Sequence, residues 1–103
     1  MKRVEFVVGL GFDKDNKPIH DFETRLKEAL HSAAIVFGGF SVSYGSGGWI
    51  SPTNGLVMEP NVSIVTLTDK DQETIEAFAT LLRITFNQES VLVSQIDAMV
   101  RFV

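Results

Sequence analysis

Two segments of this sequence repeat their apolar residues at helical spacing, and each lies between segments that alternate like strands. Phe22, Leu26, Ala29, Leu30, Ala33 and Phe37 fall three and four apart, which makes one stripe on a helix from about Asp21 to Phe37. Ile75, Phe78, Ala79, Leu82 and Phe86 make a second stripe on a helix from about Lys70 to Asn87. Before the first helix, Val4, Phe6 and Val8 alternate with Arg3, Glu5 and Val7 over Arg3–Gly9. Between the helices, Phe40, Val42 and Tyr44 alternate with Ser41 and Ser43, and Leu56–Thr68 reads as a third strand broken or begun at Pro60, which cannot donate to a ladder. Ser90–Val103 reads as a long final strand. The order β-α-β-β-α-β predicts an α+β, ferredoxin-like single domain over residues 1–103. Its four-stranded antiparallel sheet, in strand order 4-1-3-2, carries both helices on one face.

Local signals set the boundaries. Asp21 is the expected N-cap of the first helix, and Gly38-Gly39 its stop. Asp69 with Gln72 has capping-box spacing for the second helix. Asn87 is expected in a left-handed conformation at that helix's end. The Asp13–Pro18 segment is a turn-rich connection, and Gly45–Asn54 is read as a loop.

Face assignments follow from alternation. In the last strand the even positions Leu92, Ile96, Ala98, Val100 and Phe102 are apolar and are expected to meet the helices, together with Phe6. The odd positions then point away from them. The second sheet face would combine Val7, Val65, Leu67, Val91, Val93, Met99 and Arg101, too apolar a mixture for a fully solvated surface. We expect a second subunit to cover it in a homodimer; a wet face bearing Arg3, Glu5, Gln95, Asp97 and Arg101 is the alternative.

The whole chain narrows the function classes. It has 103 residues, 45% hydrophobic and 21% charged, the composition of one ordinary folded domain. A formal charge of −4 opposes general binding to nucleic-acid backbones. There is no cysteine, hence no disulfide, thiolate metal site or cysteine nucleophile. No apolar run approaches the roughly 18–20 residues that span a bilayer. MKRVEFVVGLGFD reads as a strand rather than a signal peptide, because Glu5 and Asp13 interrupt it, and a cytoplasmic location is expected.

Known motifs are mostly excluded. Gly9-Leu10-Gly11 lacks the third glycine of a dinucleotide fingerprint, because Lys14 stands there. Gly45-Ser46-Gly47-Gly48 is not a Walker loop; it reads as a flexible connection or, less simply, as a backbone cradle for an anion. Asp13, Asp15 and Asn16 resemble a calcium loop only faintly and read as a plain turn. His20 and His31 have no metal or triad spacing, and no serine lies in a nucleophile elbow. Nothing calls for a cofactor. The cluster Asn87-Gln88-Glu89-Ser90 is set apart by its place where the second helix meets the last strand, at a sheet end that Trp49 or Glu59 is also expected to reach. A carboxylate beside a half-buried indole is a candidate acid or base; a cap and turn is the structural alternative.

Gly38-Gly39-Phe40-Ser41-Val42, then Gly48-Trp49, Gly55-Leu56 and Glu59, then Gln88-Glu89-Ser90-Val91-Leu92, resembles a family of small bacterial and phage proteins of unknown function. The resemblance covers about Phe37–Val93 and implies a ferredoxin-like fold. It also implies a small phage or prophage product without the leader of longer secreted members. It makes Trp49, Glu59, Gln88, Glu89 and Ser90 one candidate ligand- or partner-binding constellation. A non-enzymatic binding module, with a protein or small-molecule partner, is the leading expectation. A cofactor-free enzyme of the dimeric α+β-barrel type, using Glu89 or Glu59 as acid or base, and a structural or assembly protein are the alternatives.

Overall fold

The computed structural model describes residues 1–103. Its elements run β1 (Lys2–Gly9), α1 (Phe22–Phe37), β2 (Ser41–Ser51), β3 (Gly55–Thr68), α2 (Gln72–Thr85) and β4 (Leu92–Asp97). The sheet is antiparallel with strand order β2-β3-β1-β4, the α+β ferredoxin-like arrangement that the order of periods predicts. No helix is long and apolar enough to cross a membrane.

The core forms where the two helical stripes meet the central strands. Val4, Phe6 and Val8 of β1 stand opposite Thr66, Ile64 and Val62 of β3, and all six are buried. Leu26, Ala29 and Ala33 of α1 and Ile75, Phe78 and Leu82 of α2 close over them. Phe22 and Leu30, expected to be buried, pack on this cluster but remain half-exposed at its margin. Phe78 meets Phe6 edge-on at 4.9 Å between ring centroids and Phe37 at 5.3 Å. Such edge contacts are favoured by the ring quadrupoles.

The helix ends differ from two expectations. Asp21 takes a left-handed conformation (φ 56°) and makes no side-chain cap bond, because its backbone is given to the turn that enters α1. The cap of α2 is Asp71, not Asp69: its carboxylate accepts from the Thr74 amide at 2.9 Å and the Thr74 hydroxyl at 2.7 Å. Asp69 instead faces the N-terminal ammonium at 3.5 Å. Gly38 ends α1 at φ 87°, its amide bonded to the Ala34 carbonyl, and Asn87 is left-handed as expected (φ 49°).

Three strand assignments change. Gly45–Ser51 is not a loop but the outer half of β2, paired residue by residue with Gly55–Asn61 in a long hairpin. The hairpin extends past the helices and gives the molecule a 48 Å long axis. The faces of β4 are also opposite to those expected. Phe6 pairs with Val93 and Val4 with Gln95, so the odd positions of β4 share the helix side while Leu92, Ser94 and Ile96 share the far side with Val7, Glu5 and Arg3. Val91 accordingly packs against the core cluster, and neither Val91 nor Val93 belongs to the outer face with Val7, Val65 and Leu67. Finally, β4 ends at Asp97, because its partner there is Lys2, the first residue of β1. Met99 and Arg101 therefore lie beyond the sheet, and Ile96 and Phe102, expected in the core, are exposed.

Candidate functional site

The connection that leaves β1 is stitched to the turn that leaves α2. The Asp13 carboxylate accepts from the amides of Asp15 and Lys17 at 2.9 and 3.0 Å. These backbone bonds, above all the one from Lys17, and the Asn87 amide hold the Asp13 carboxyl below the ordinary aspartate value despite some desolvation. The Lys14 amide donates to the Asn87 carbonyl at 2.8 Å, and Asn87 Nδ2 donates to Asp13 and Asp15 at 3.2 and 3.3 Å. Gln88 Nε2 donates to the carbonyl of Phe12 at 2.9 Å and to that of Phe86 at 3.3 Å. One end of the sheet thus has a floor fixed by side chains and backbone from segments more than seventy residues apart.

The hairpin supplies the other wall. Trp49 stands opposite Val57, and Glu59 opposite Gly47, so the indole and the carboxylate are diagonal neighbours on one face. Glu59 reaches across to accept from the Phe12 amide at 3.3 Å. It has room only because residues 9 and 11 have no side chain. A Cβ on Gly9 would collide with Glu59 Oε1, and one on Gly11 would lie 2.9 Å from Glu59 Cβ.

Between these walls lies an open cleft of about 320 Å³, lined by Phe12, Asp13, Lys14, Asn16, Trp49, Glu59, Gln88, Glu89 and Ser90. All five residues singled out from the sequence, Trp49, Glu59, Gln88, Glu89 and Ser90, line it. Trp49 is 44% exposed, so it offers an aromatic surface to the cleft. Phe12, Asp13, Lys14 and Asn16 were assigned to a plain turn by their spacing. The pointer to them was Gly9-Leu10-Gly11, whose glycines make space for a carboxylate rather than a phosphate.

The cleft holds the carboxylates Glu59 and Glu89, neither in an ion pair, beside the hydrogen-bonded Asp13, with two aromatic rings, two side-chain amides and a lysine. This set is suited to a small, flat, cationic or zwitterionic ligand: rings stack, carboxylates take ammonium or hydroxyl groups, and Lys14 takes an anionic end. No three His, Cys, Asp or Glu side chains gather to hold a metal ion. A larger hollow, about 520 Å³, lies between Arg3, Phe37, Phe40, Leu67 and Phe102; it is more apolar and has no carboxylate.

Solved structures resemble the chain. No protein-family model matches the chain, and no curated protein matches it significantly. The chain is similar to a phage SAM lyase solved in complex with S-methyl-5′-thioadenosine. The two share 25% identity at a TM-score of 0.68, over 93% of this chain and 80% of that one. It is also similar to CutA from Synechococcus elongatus (8% identity, TM-score 0.61, 95% of this chain and 76% of that one). A DUF3240-family protein from Shewanella baltica matches at 11% identity and a TM-score of 0.56, over 99% of this chain and 94% of that one. The last two likenesses concern the fold alone.

Proposed function

We propose that this chain is a phage-type lyase acting on S-adenosylmethionine, with its substrate in the cleft between Trp49, Glu59 and the Gln88–Ser90 turn. The observation that carries the reading is the 25% identity, over 93% of the chain, to a SAM lyase bound to S-methyl-5′-thioadenosine. The cleft supports it chemically. Trp49 and Phe12 offer stacking surfaces for an adenine ring, an interaction worth about 1–3 kcal/mol per base, and a volume of about 320 Å³ lies at the lower end for ligand sites.

Forming S-methyl-5′-thioadenosine from this substrate requires the bond between sulfur and Cγ of the methionyl chain to break. Its electron pair stays on sulfur, and the sulfonium becomes a neutral thioether. Cγ must receive another electron pair. If the substrate's own carboxylate oxygen supplies it, a five-membered lactone forms, and atoms and charge balance with no proton moved, no water and no cofactor. A carboxylate held against the sulfonium would favour the substrate over the transition state, since that charge disappears. A carboxylate on the α-ammonium keeps its partner throughout. We therefore assign Glu89, exposed at the rim, to the ammonium, and Glu59, held by the Phe12 amide, to the ribose hydroxyls. Their work is to fold the methionyl tail so that nucleophile and Cγ meet, an effect of proximity rather than of acid–base exchange.

The second sheet face and the apolar hairpin belong in this reading to a homo-oligomer. In this reading the protein acts in the cytoplasm. The test is chromatographic: S-adenosylmethionine incubated with the purified chain yields S-methyl-5′-thioadenosine, and Glu89→Gln lowers the rate at least tenfold with an unchanged melting temperature. Tight binding of the nucleoside with no turnover would leave the binding module standing, and neither binding nor turnover would refute the proposal.

A further inference from the structure

Of the 9 residues that line the cleft, Asp13, Glu59 and Glu89 are acidic and only Lys14 is basic. These opposite charges do not neutralise one another. The chain's one ion pair joins the N-terminal ammonium to Asp69, so Lys14 pairs with no carboxylate of the cleft. Its sequence neighbour Asp13 is occupied otherwise, above all by the Lys17 amide, then by the Asn87 side chain and the Asp15 amide, and the lysine whose charge acts on it is Lys17. The backbone of Lys14 is nonetheless held in place. Its amide donates to the Asn87 carbonyl at 2.8 Å, and the turn around it is closed by the Asp13 amide on the Lys17 carbonyl at 2.8 Å. The result is an exposed ammonium on an ordered turn, without an acidic partner, in the same small hollow as the unpaired Glu89. A ligand with both charges on one carbon, an α-amino acid group, satisfies the two together.

We propose, on the reading of the cleft as a lyase site, that Lys14 binds the α-carboxylate of the substrate. With Glu89 on the α-ammonium, it makes the cleft selective for nucleosides that carry an intact α-amino acid on sulfur. S-adenosylmethionine has one anionic group, and the cleft has one cation to receive it. Without Lys14 that carboxylate would enter a hollow lined by Asp13, Glu59 and Glu89, all of its own sign.

The two charged contacts serve the reaction differently. The ammonium keeps its charge from substrate to lactone, so Glu89 holds it throughout. The carboxylate does not. As one of its oxygens bonds to Cγ, the S–Cγ electron pair departs with sulfur, and the carboxylate becomes an ester. Lys14 keeps its proton but loses its charged partner. It therefore holds the substrate more strongly than the transition state, the pattern of a residue that sets KM rather than kcat.

Two nucleosides that the enzyme does not cleave isolate this contact. S-adenosylhomocysteine carries the amino acid on a neutral thioether, whose thiolate is too poor a leaving group, and S-methyl-5′-thioadenosine lacks it. In calorimetric titrations Lys14→Met should weaken the first about tenfold or more, as expected for one charge-assisted hydrogen bond, and move the second by less than about twofold. Lys14→Arg should keep most of the affinity, and Lys17→Met, outside the cleft, should change neither. In turnover of S-adenosylmethionine, Lys14→Met should raise KM at least about fivefold and change kcat by no more than about threefold. Equal weakening of both nucleosides, or a fall in kcat at unchanged KM, would overturn the proposal. If the native chain binds both nucleosides and Lys14→Met is indifferent, the role of Lys14 falls and the lyase reading stands. If the native chain binds neither, both fall.

Discussion

Replacing Gly9 by alanine tests the steric relation that places Glu59. An alanine methyl there would overlap Glu59 Oε1, the far end of a flexible side chain, so the carboxylate must swing away and release the Phe12 amide. Losing that bond costs about 0.5–1.5 kcal/mol. Gly9 lies in β1, where its φ lies outside the left-handed range, so alanine also restricts the unfolded chain and returns about 0.4–1 kcal/mol. The two nearly cancel, and the melting temperature should move by no more than about 5 °C. In a Glu59→Ala background the collision is absent and only the entropic gain remains, so the same change should be stabilising. The coupling between the two sites should be about 1 kcal/mol, read from thermal unfolding of the four proteins of the cycle. Trp49, the only tryptophan, gives a second signal. Its emission should change on Gly9→Ala in the native background and not in the Glu59→Ala background. A coupling below about 0.3 kcal/mol, the level at which distant sites simply add, would refute the steric account.

Phe78→Ala should cost about 3–5 kcal/mol in denaturant unfolding, since Phe78 joins the Phe6 and Phe37 rings at the centre of the core. Asp71→Ala should lower the melting temperature by about 5 °C, from loss of the α2 cap, whereas Asp69→Ala should shift it much less. Asp13 titrates below its unfolded value in the folded chain, so its contribution to stability is present above about pH 4 and is lost as pH falls through the lower, folded value. The stability difference between the native chain and Asp13→Asn should therefore vanish in acid and be full at neutral pH, as equilibrium unfolding across pH would show.

How legible an element was depends on how many partners hold it. The two helical stripes and β1 were plain in the sequence because each faces one continuous core, in which Val4, Phe6 and Val8 are fully buried. β2 was half missed because glycine carries no periodicity. Gly45, Gly47 and Gly48 look like a loop, and only their register against Asn61, Glu59 and Met58 makes them a strand. In the site, Trp49 stood out as a bulky side chain in a glycine-rich stretch, the Gln88–Ser90 turn by its place where the second helix meets the last strand, and Glu59 by the resemblance that joins it to them. The β1–α1 connection did not, since Asp13, Lys14 and Asn16 acquire their role from Asn87 and Gln88, and no local pattern records a bond across seventy residues.

The reversed faces of β4 follow from the same dependence. Leu92, Ile96, Val100 and Phe102 form so regular an apolar row that a core-facing assignment follows if the fold is complete within one chain. The register with β1 puts Leu92 and Ile96 on the far side and leaves Val100 and Phe102 without a strand to pair with. The regular row therefore leaves Leu92, Ile96 and Phe102 exposed, with only Ala98 and Val100 half-buried. Pattern reports the faces that a residue must cover, whichever chain supplies the cover.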